Sequence, residues 1–329
     1  MGKPHAAITG IGGYVPDYIL DNEELSRMVD TNDEWIMSRV GIKTRHILKD
    51  PEKGTSFMAV EACKDLFSRK QIDLDSIEAV ICTTTTPDNL FPSTASKICG
   101  ALGIKNAFAY DMEAACSGFI TGLSIAAGYI ESGRIKRVLV ISAEKLSFFV
   151  NYQDRSTCPL FGDGAAAALI DATEEEVGIQ DFIIRTDGQG YPYLNLKHSG
   201  SESPVTEEHI RNRENLLFQD GRNVFKHAVT DMSQVCADIM ERNQLKGEDI
   251  DWLVPHQANL RIIDAVIQRT SVDPKKVLIN IEHIGNTSAA SIPICLWENL
   301  DKLHKGDNVL LTAFGAGFIW GAVYLKWAY

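Results

Sequence analysis

The chain has 329 residues, enough for two domains or one large duplicated one, with 45% hydrophobic and 23% charged residues, as in a packed globular protein. A net charge of −12 argues against general nucleic-acid binding, and no apolar run reaches membrane-spanning length. Residues 1–8 lack an apolar signal-peptide core, and seven cysteines without a CxxC pair make neither a disulfide framework nor the usual zinc site. The expectation is a cytoplasmic protein without metal, membrane or nucleic-acid partners.

Residues 6–16 read as a strand ending in a glycine-rich turn. Gly10 and Gly12 fit the first two positions of a dinucleotide fingerprint, but the third falls at Val15 and Pro16 prevents a helix from opening there. No nucleotide cofactor is expected. Asp21 or Asn22 caps a short acidic helix, and residues 31–36 begin another. Trp35 and Arg39 share a face of it at i,i+4, as an ordinary cation–π pair or as a flat clamp for an aromatic ring. Ala59, Ala62, Cys63, Leu66 and Phe67 recur at helical spacing and mark a buried face.

Residues 77–83 predict a strand that runs into a loop, 84–92, carrying Phe91. A further apolar run, 107–110, precedes a turn of small residues around Cys116, and residues 120–130 form a helix without a polar face, which is normally buried. A thiol at a helix N-terminus is drawn towards thiolate by the macrodipole, although a buried cysteine is more often plain core. Residues 137–142 predict another strand, and the alternation implies a mostly parallel sheet with covered faces. The acidic turn Glu174, Glu175 and Glu176 is the expected seam between halves at 1–175 and 176–329. Residues 191–215 read as an irregular surface loop.

The second half echoes the first. Residues 250–260 parallel 77–90, residues 277–281 lead to Asn286 as 107–110 lead to Cys116, and residues 313–318 mirror 160–165. Leu90 and Leu260 are 170 apart (260 − 90), as are Cys116 and Asn286 (286 − 116). Such self-similarity indicates a duplicated fold. A pseudo-twofold axis would bring the two elbows together and add His256 from a strand end, where open α/β sheets place their ligands. Singly, His256 and Asn286 suit a turn or a cap; together with Cys116 they suit a site.

Ala115-Cys116-Ser117-Gly118, Pro255-His256-Gln257-Ala258-Asn259 and Gly285-Asn286-Thr287-Ser288 resemble the active-site motifs of the β-ketoacyl-acyl-carrier-protein synthase III family. The likeness extends to Asp33-Glu34-Trp35-Ile36, Phe91-Pro92-Ser93, Phe161-Gly162-Asp163-Gly164 and Phe314-Gly315-Ala316-Gly317-Phe318. It implies a thiolase-like, five-layered αβαβα fold, a homodimer, and condensation of a short acyl-CoA, acetyl-CoA first, with malonyl-acyl carrier protein. Acyl-CoA is then a substrate, and no cofactor is implied.

Under that resemblance Cys116 takes the acyl group, a thiolate being a strong nucleophile towards a thioester. The backbone N–H groups of Cys116 and Ala316 hold the tetrahedral oxyanion, and His256 and Asn286 donate to the enolate left by decarboxylation. Ala316 replaces a frequent glycine and keeps the N–H if its backbone angles allow. Trp35 and Arg155 would sandwich the CoA adenine, with Thr31, Arg39, Gly221 and Asn259 along the pantetheine tunnel or its phosphate end. Phe161 and, across the dimer, Phe91 would line the acyl pocket. Lys226, Arg261 and Arg269 would meet the acidic carrier protein, with Gln268 where a relative has lysine. Alternatives are a polyketide-type or secondary-metabolite ketosynthase of the same fold, a cysteine hydrolase, or a binding homologue without activity. The hydrolase lacks the papain-like surround and has no use for the duplication.

Overall fold

Strands buried along nearly their whole length build two sheets with one helical layer between them. The computed structural model describes residues 4–329. The first sheet takes β1 (His5–Tyr14), β2 (Ala79–Thr83), β3 (Phe108–Met112), β4 (Arg137–Lys145) and β5 (Asp163–Thr173) in the order β1-β5-β4-β2-β3. The second takes β6 (Gly178–Thr186), β7 (Trp252–Pro255), β8 (Asn308–Gly315) and β9 (Ile319–Lys326) in the order β6-β9-β8-β7, and a parallel bridge from Leu253 to Val277 continues it. Both sheets run antiparallel, antiparallel, parallel, parallel across these neighbours. The expected mostly parallel sheet is therefore mixed. Each half ends in a hairpin-like return, β4–β5 and β8–β9, which local strand patterning does not distinguish from a crossover.

Successive side chains point to opposite faces of each sheet. Val138 and Val140 of β4 face the centre, while Leu139 and Ile141 face outward onto α2 (Thr55–Arg69) and α3 (Thr94–Leu102). The central layer holds α4 (Gly118–Glu131) and α7 (Ser291–Glu298), packed between Ile81 and Ile170 on one side and Leu311 and Val323 on the other. Outside the second sheet lie α5 (Gly221–Arg242) and α6 (Leu260–Thr270), closed by Met232, Ile239, Val266 and Leu310. α4 is apolar all round because it is enclosed on both faces.

The glycines of residues 10–13 do not turn. β1 runs through them with one register shift between Ile8 and Gly10. A Cβ on Gly12 would stand 2.2 Å from the Leu66 nitrogen and 2.5 Å from the Ala62 oxygen, so glycine here lets α2 lie backbone-to-backbone on the strand. A further small core, with Leu20, Leu25, Ile36, Ile42 and Phe161, docks α1 (Asp33–Val40) beside the site. Asn32 caps α1 by accepting from the Trp35 N–H at 2.8 Å, and Gly41 ends it at φ 76°. Glu174, Glu175 and Glu176 lie between β5 and β6.

Candidate active site

The two elbows have the same backbone. Ala115–Ser117 and Ser288–Ala290 are each a single 3₁₀ turn, entered through a positive φ at Ala115 (43°) and Ser288 (50°) and followed directly by α4 and α7. This match sets the offset at 173 (288 − 115) rather than 170. Cys116 therefore corresponds to Ala289, and Asn286 to Glu113. The expected pairing of Cys116 with Asn286 is off by three residues, because insertions differ between the halves. The Phe-Gly-x-Gly echo is also not a spatial one: Phe161–Gly164 leads into β5, whereas Phe314 and Gly315 close β8.

The elbows touch. A Cβ on Gly118 would lie 2.9 Å from the Ala289 Cβ, and one on Gly315 would lie 2.7 Å from the Cys116 nitrogen. The Ser117 hydroxyl donates to the Ile319 carbonyl at 2.9 Å. Ala316 thus sits beside the Cys116 backbone, and its φ is not positive, so alanine is unstrained there. Asn286 is held by Phe161-Gly162: its N–H donates to the Leu160 carbonyl and its carbonyl accepts from the Gly162 N–H, both at 2.9 Å.

Hydrogen bonding fixes which side-chain atoms of Asn286 and His256 are left free to donate. Asn286 Oδ1 accepts from the Ser288 N–H at 2.8 Å, leaving its Nδ2 as the donor. His256, 2% exposed just after β7, has Nδ1 at 2.6 Å from the Ser291 hydroxyl, and that oxygen also receives the Gln257 N–H at 3.4 Å. The Ser291 hydroxyl has no other acceptor among the described residues, so its proton goes to Nδ1, and the imidazole proton is then on Nε2. Among the described residues that buried Nε2 has no partner. Burial pushes the His256 pKa down to about 3, so the ring stays neutral near pH 7.

Cys116 departs from expectation. Burial pushes its thiol up to about 12, opposed by hydrogen bonding from Ser288 and reinforced by the Glu144 charge. Burial thus opposes the thiolate that the N-terminus of α4 favours. Cys116 opens on a cavity of about 350 Å³ whose lining includes Leu146, Phe149, Phe161, Leu194, Leu196 and Leu217. Tyr191, Asn195 and Ser199 line it too, so part of the expected surface loop is a wall of the site. A two-strand pairing of Phe218–Gln219 with Leu194–Asn195 pins that wall.

Other predicted residues fall into two groups. Arg155 already lies over the Trp35 ring, 4.7 Å from its centroid, with Arg39 at 5.8 Å. Among the described residues, the one further tie of Arg155 is to Asp30, at 3.1 Å. Asn259 donates to the Arg39 carbonyl at 3.2 Å, the Thr31 hydroxyl is buried without a partner among the described residues, and Gly221 opens α5 at an exposed position. Arg261 lies 4.8 Å from the Phe225 ring centroid, next to Lys226; Arg269 pairs with Gln234 instead, roughly 12 Å further along α6. Gln268 is exposed near Arg269. Phe91, 86% exposed, does not line its own chain's cavity.

His198, His209 and Glu214 bring ligand atoms within 4.8 Å of one another. The imidazoles are stacked, with centroids 3.8 Å apart and planes at 20°, and His209 Nδ1 accepts the Thr206 N–H. Stacked rings do not converge on one ion; His209 closes a helix cap, and His198 Nδ1 lies 2.6 Å from the Ser203 hydroxyl. Missing from the sequence reading are Ser288, Ser291, Thr85 and Glu144. Ser288 stood at the end of a quoted motif without a role of its own, and Glu144 carried the signal of a carboxylate at the end of an apolar strand.

A family model described as 3-oxoacyl-[acyl-carrier-protein] synthase III matches residues 110–188, and one for the C-terminal part of that family matches residues 240–327. The β-ketoacyl-[acyl-carrier-protein] synthase III 2 of Bacteroides thetaiotaomicron is 56% identical over 329 residues, 100% of this chain and 98% of the relative. Among solved structures, the 3-oxoacyl-[acyl-carrier-protein] synthase III of Aquifex aeolicus matches with a TM-score of 0.91 at 40% identity, over 98% of this chain and 100% of that one. The priming β-ketosynthase of the R1128 polyketide pathway matches with a TM-score of 0.90 at 32% identity, over 99% and 98%.

Proposed function

The chain belongs to the 3-oxoacyl-[acyl-carrier-protein] synthase III family, and we propose that it carries out the family's condensation through an acyl group held on Cys116. It is an acyl-transferring enzyme that joins an acyl-CoA to malonyl-acyl carrier protein and so starts fatty-acid synthesis. Cys116 attacks the thioester, and the N–H groups of Cys116 and Ala316 receive the tetrahedral oxyanion. CoA leaves and malonyl-acyl carrier protein enters. Loss of carbon dioxide leaves an enolate whose oxygen takes hydrogen bonds from His256 Nε2 and Asn286 Nδ2. Its carbon attacks acyl-Cys116 and releases 3-oxoacyl-carrier protein.

The observation that carries this reading is the pair of donors fixed from behind. A neutral imidazole and an amide stabilise an enolate without removing a proton, which suits decarboxylation and does not suit hydrolysis. Trp35 and Arg155 hold the adenine, Thr31, Arg39, Gly221 and Asn259 follow the rest of CoA, and Lys226, Arg261 and Arg269 receive the carrier protein. Acyl-CoA enters as a substrate, and the proposed steps use no cofactor. The halves divide at 1–175 and 176–329, the working unit is a homodimer in the cytoplasm, and Phe91 completes the partner's acyl pocket. Among the described residues no helix is long and apolar enough to cross a membrane.

Incubation with acetyl-, branched- and longer acyl-CoAs, read by mass spectrometry, should give one adduct that disappears in Cys116→Ser. An adduct on another cysteine would overturn the assignment. Similarity to a polyketide priming enzyme keeps one second reading, and product formation from malonyl-CoA in preference to malonyl-carrier protein would establish it.

A further inference from the structure

His256 and Asn286 stand on different segments, and the proposed condensation needs both donors within reach of one oxygen. His256 follows β7 directly, and Asn286 follows the helical turn Ile281–Ile284 and Gly285. The strand pairing between these segments stops short of them. Leu253 pairs in parallel with Val277, and the Leu278 N–H donates to the Leu253 carbonyl at 3.0 Å. The next rung of a parallel ladder would join the N–H of residue 255 to the Leu278 carbonyl, and the Asn280 N–H to the carbonyl of residue 255. Residue 255 is proline and has no N–H to give.

The Gln257 side chain fills the gap. It is 0% exposed. Its Nε2 donates to the Pro255 carbonyl at 2.7 Å and to the Leu278 carbonyl at 3.3 Å. Its Oε1 accepts from the Asn280 N–H at 3.0 Å and from the Ile281 N–H at 3.2 Å. Two carbonyls face the nitrogen and two N–H groups face the oxygen, so the amide has one orientation. Three of these four partners are groups that the missing rung would have used. The fourth, the Ile281 N–H, opens the helical turn that leads to Asn286. The carboxamide thus stands in for a peptide unit and keeps the two strand ends one amide apart.

We propose that Gln257 is a positioning residue for condensation, its buried carboxamide setting the separation at which His256 and Asn286 both donate to the enolate oxygen. This rests on those two residues being the enolate donors. Gln257 does not line the Cys116 cavity. Its backbone N–H reaches the Ser291 hydroxyl at 3.4 Å, the same hydroxyl that engages His256 Nδ1. The Cys116 elbow is held from elsewhere, by Ser117 on the Ile319 carbonyl and by close contact with Gly315.

Neighbouring polar groups do not replace it. Asn280 gives its Nδ2 to Glu298 at 2.7 Å, a carboxylate that His283 shares at 3.1 Å. The Thr312 carbonyl accepts the His256 N–H at 2.8 Å, which ties β7 to β8 and not to Asn286.

The test separates the two half-reactions. Acylation of Cys116 by acetyl-CoA is followed by intact mass in a single turnover, and condensation by mixing the acylated protein with malonyl-carrier protein. Gln257→Glu keeps the reach and loses the amide donors, whereas Gln257→Asn keeps the carboxamide and withdraws it by one methylene. Each should slow condensation about 10²-fold, the scale of a misplacement of about 1 Å, and leave acylation within about 3-fold of wild type. In a His256→Ala background, the further loss from either substitution should fall below about 10-fold, because one of the two donors is already gone. Either variant, folded by its melting curve and condensing at the wild-type rate, would overturn the positioning role alone. Equal loss of acylation and condensation would overturn it too, by making Gln257 a residue of the fold only. A His256→Ala protein that condenses at the wild-type rate would overturn the donor assignment, and the positioning role with it.

Discussion

At the residue scale, the two donors proposed for the enolate separate the halves of the reaction. His256→Ala or Asn286→Ala should lower condensation about 10²- to 10³-fold, as for other lost oxyanion donors, while leaving the Cys116 adduct intact in a mass spectrum. Equal loss of adduct would assign them to acylation instead. His256 also leaves a mark on stability. Its folded pKa, about 3, lies below the ordinary 6.5, so between these values the unfolded chain binds a proton that the folded one does not. Its contribution is complete above about 6.5 and is lost as pH falls towards 3, by up to about 1.4 kcal/mol per pH unit. Urea titrations at about pH 7 and about pH 5 should show a smaller acid loss for His256→Gln than for the wild type. Cys116, His256 and Asn286 were legible because their neighbours carry motifs. The upward push on the thiol was not, since desolvation depends on enclosure by distant segments. Ser291, which sets the imidazole tautomer, lies 35 residues from His256 and gave no signal at all.

At the element scale, the strands and the buried helix α4 were readable from period and composition. Hairpin returns were not, because these strands are buried on both faces whether they run parallel or antiparallel. The glycine clusters misled for a related reason. Glycine serves either a turn or a close approach, and Gly12 and Gly315 both serve the latter. Gly315 is the more informative to change, since β8 ends there against the nucleophile's own nitrogen. Gly315→Ala must displace the elbow by several tenths of an ångström, with a Cβ otherwise 2.7 Å from the Cys116 nitrogen. Acylation should drop at least about 10-fold, the scale expected when reacting groups lose alignment. Near-normal acylation with an unchanged melting temperature would show that the elbow tolerates the shift.

At the scale of the whole molecule, the duplication was visible in sequence, but its exact offset was fixed only by backbone geometry at Ala115 and Ser288. Oligomeric state follows from a different feature. Leu90 and Phe91 are 89% and 86% exposed on one loop, an apolar pair that suits an interface between copies of the chain. Sedimentation should give a dimer at micromolar concentration, and Leu90→Asp with Phe91→Asp should shift it towards monomer and reduce acyl transfer together. Ala289 stands where the other elbow has Cys116, in the same local conformation but without a reactive side chain. One copy of the ancestral motif could surrender its nucleophile while its neighbour Asn286 was recruited for a complementary task. The proposed chemistry draws Cys116 from one side of the Thr173–Gly178 junction and His256 and Asn286 from the other, so cutting the chain there should leave neither piece able to condense by itself, which separate expression and assay of the two pieces would check.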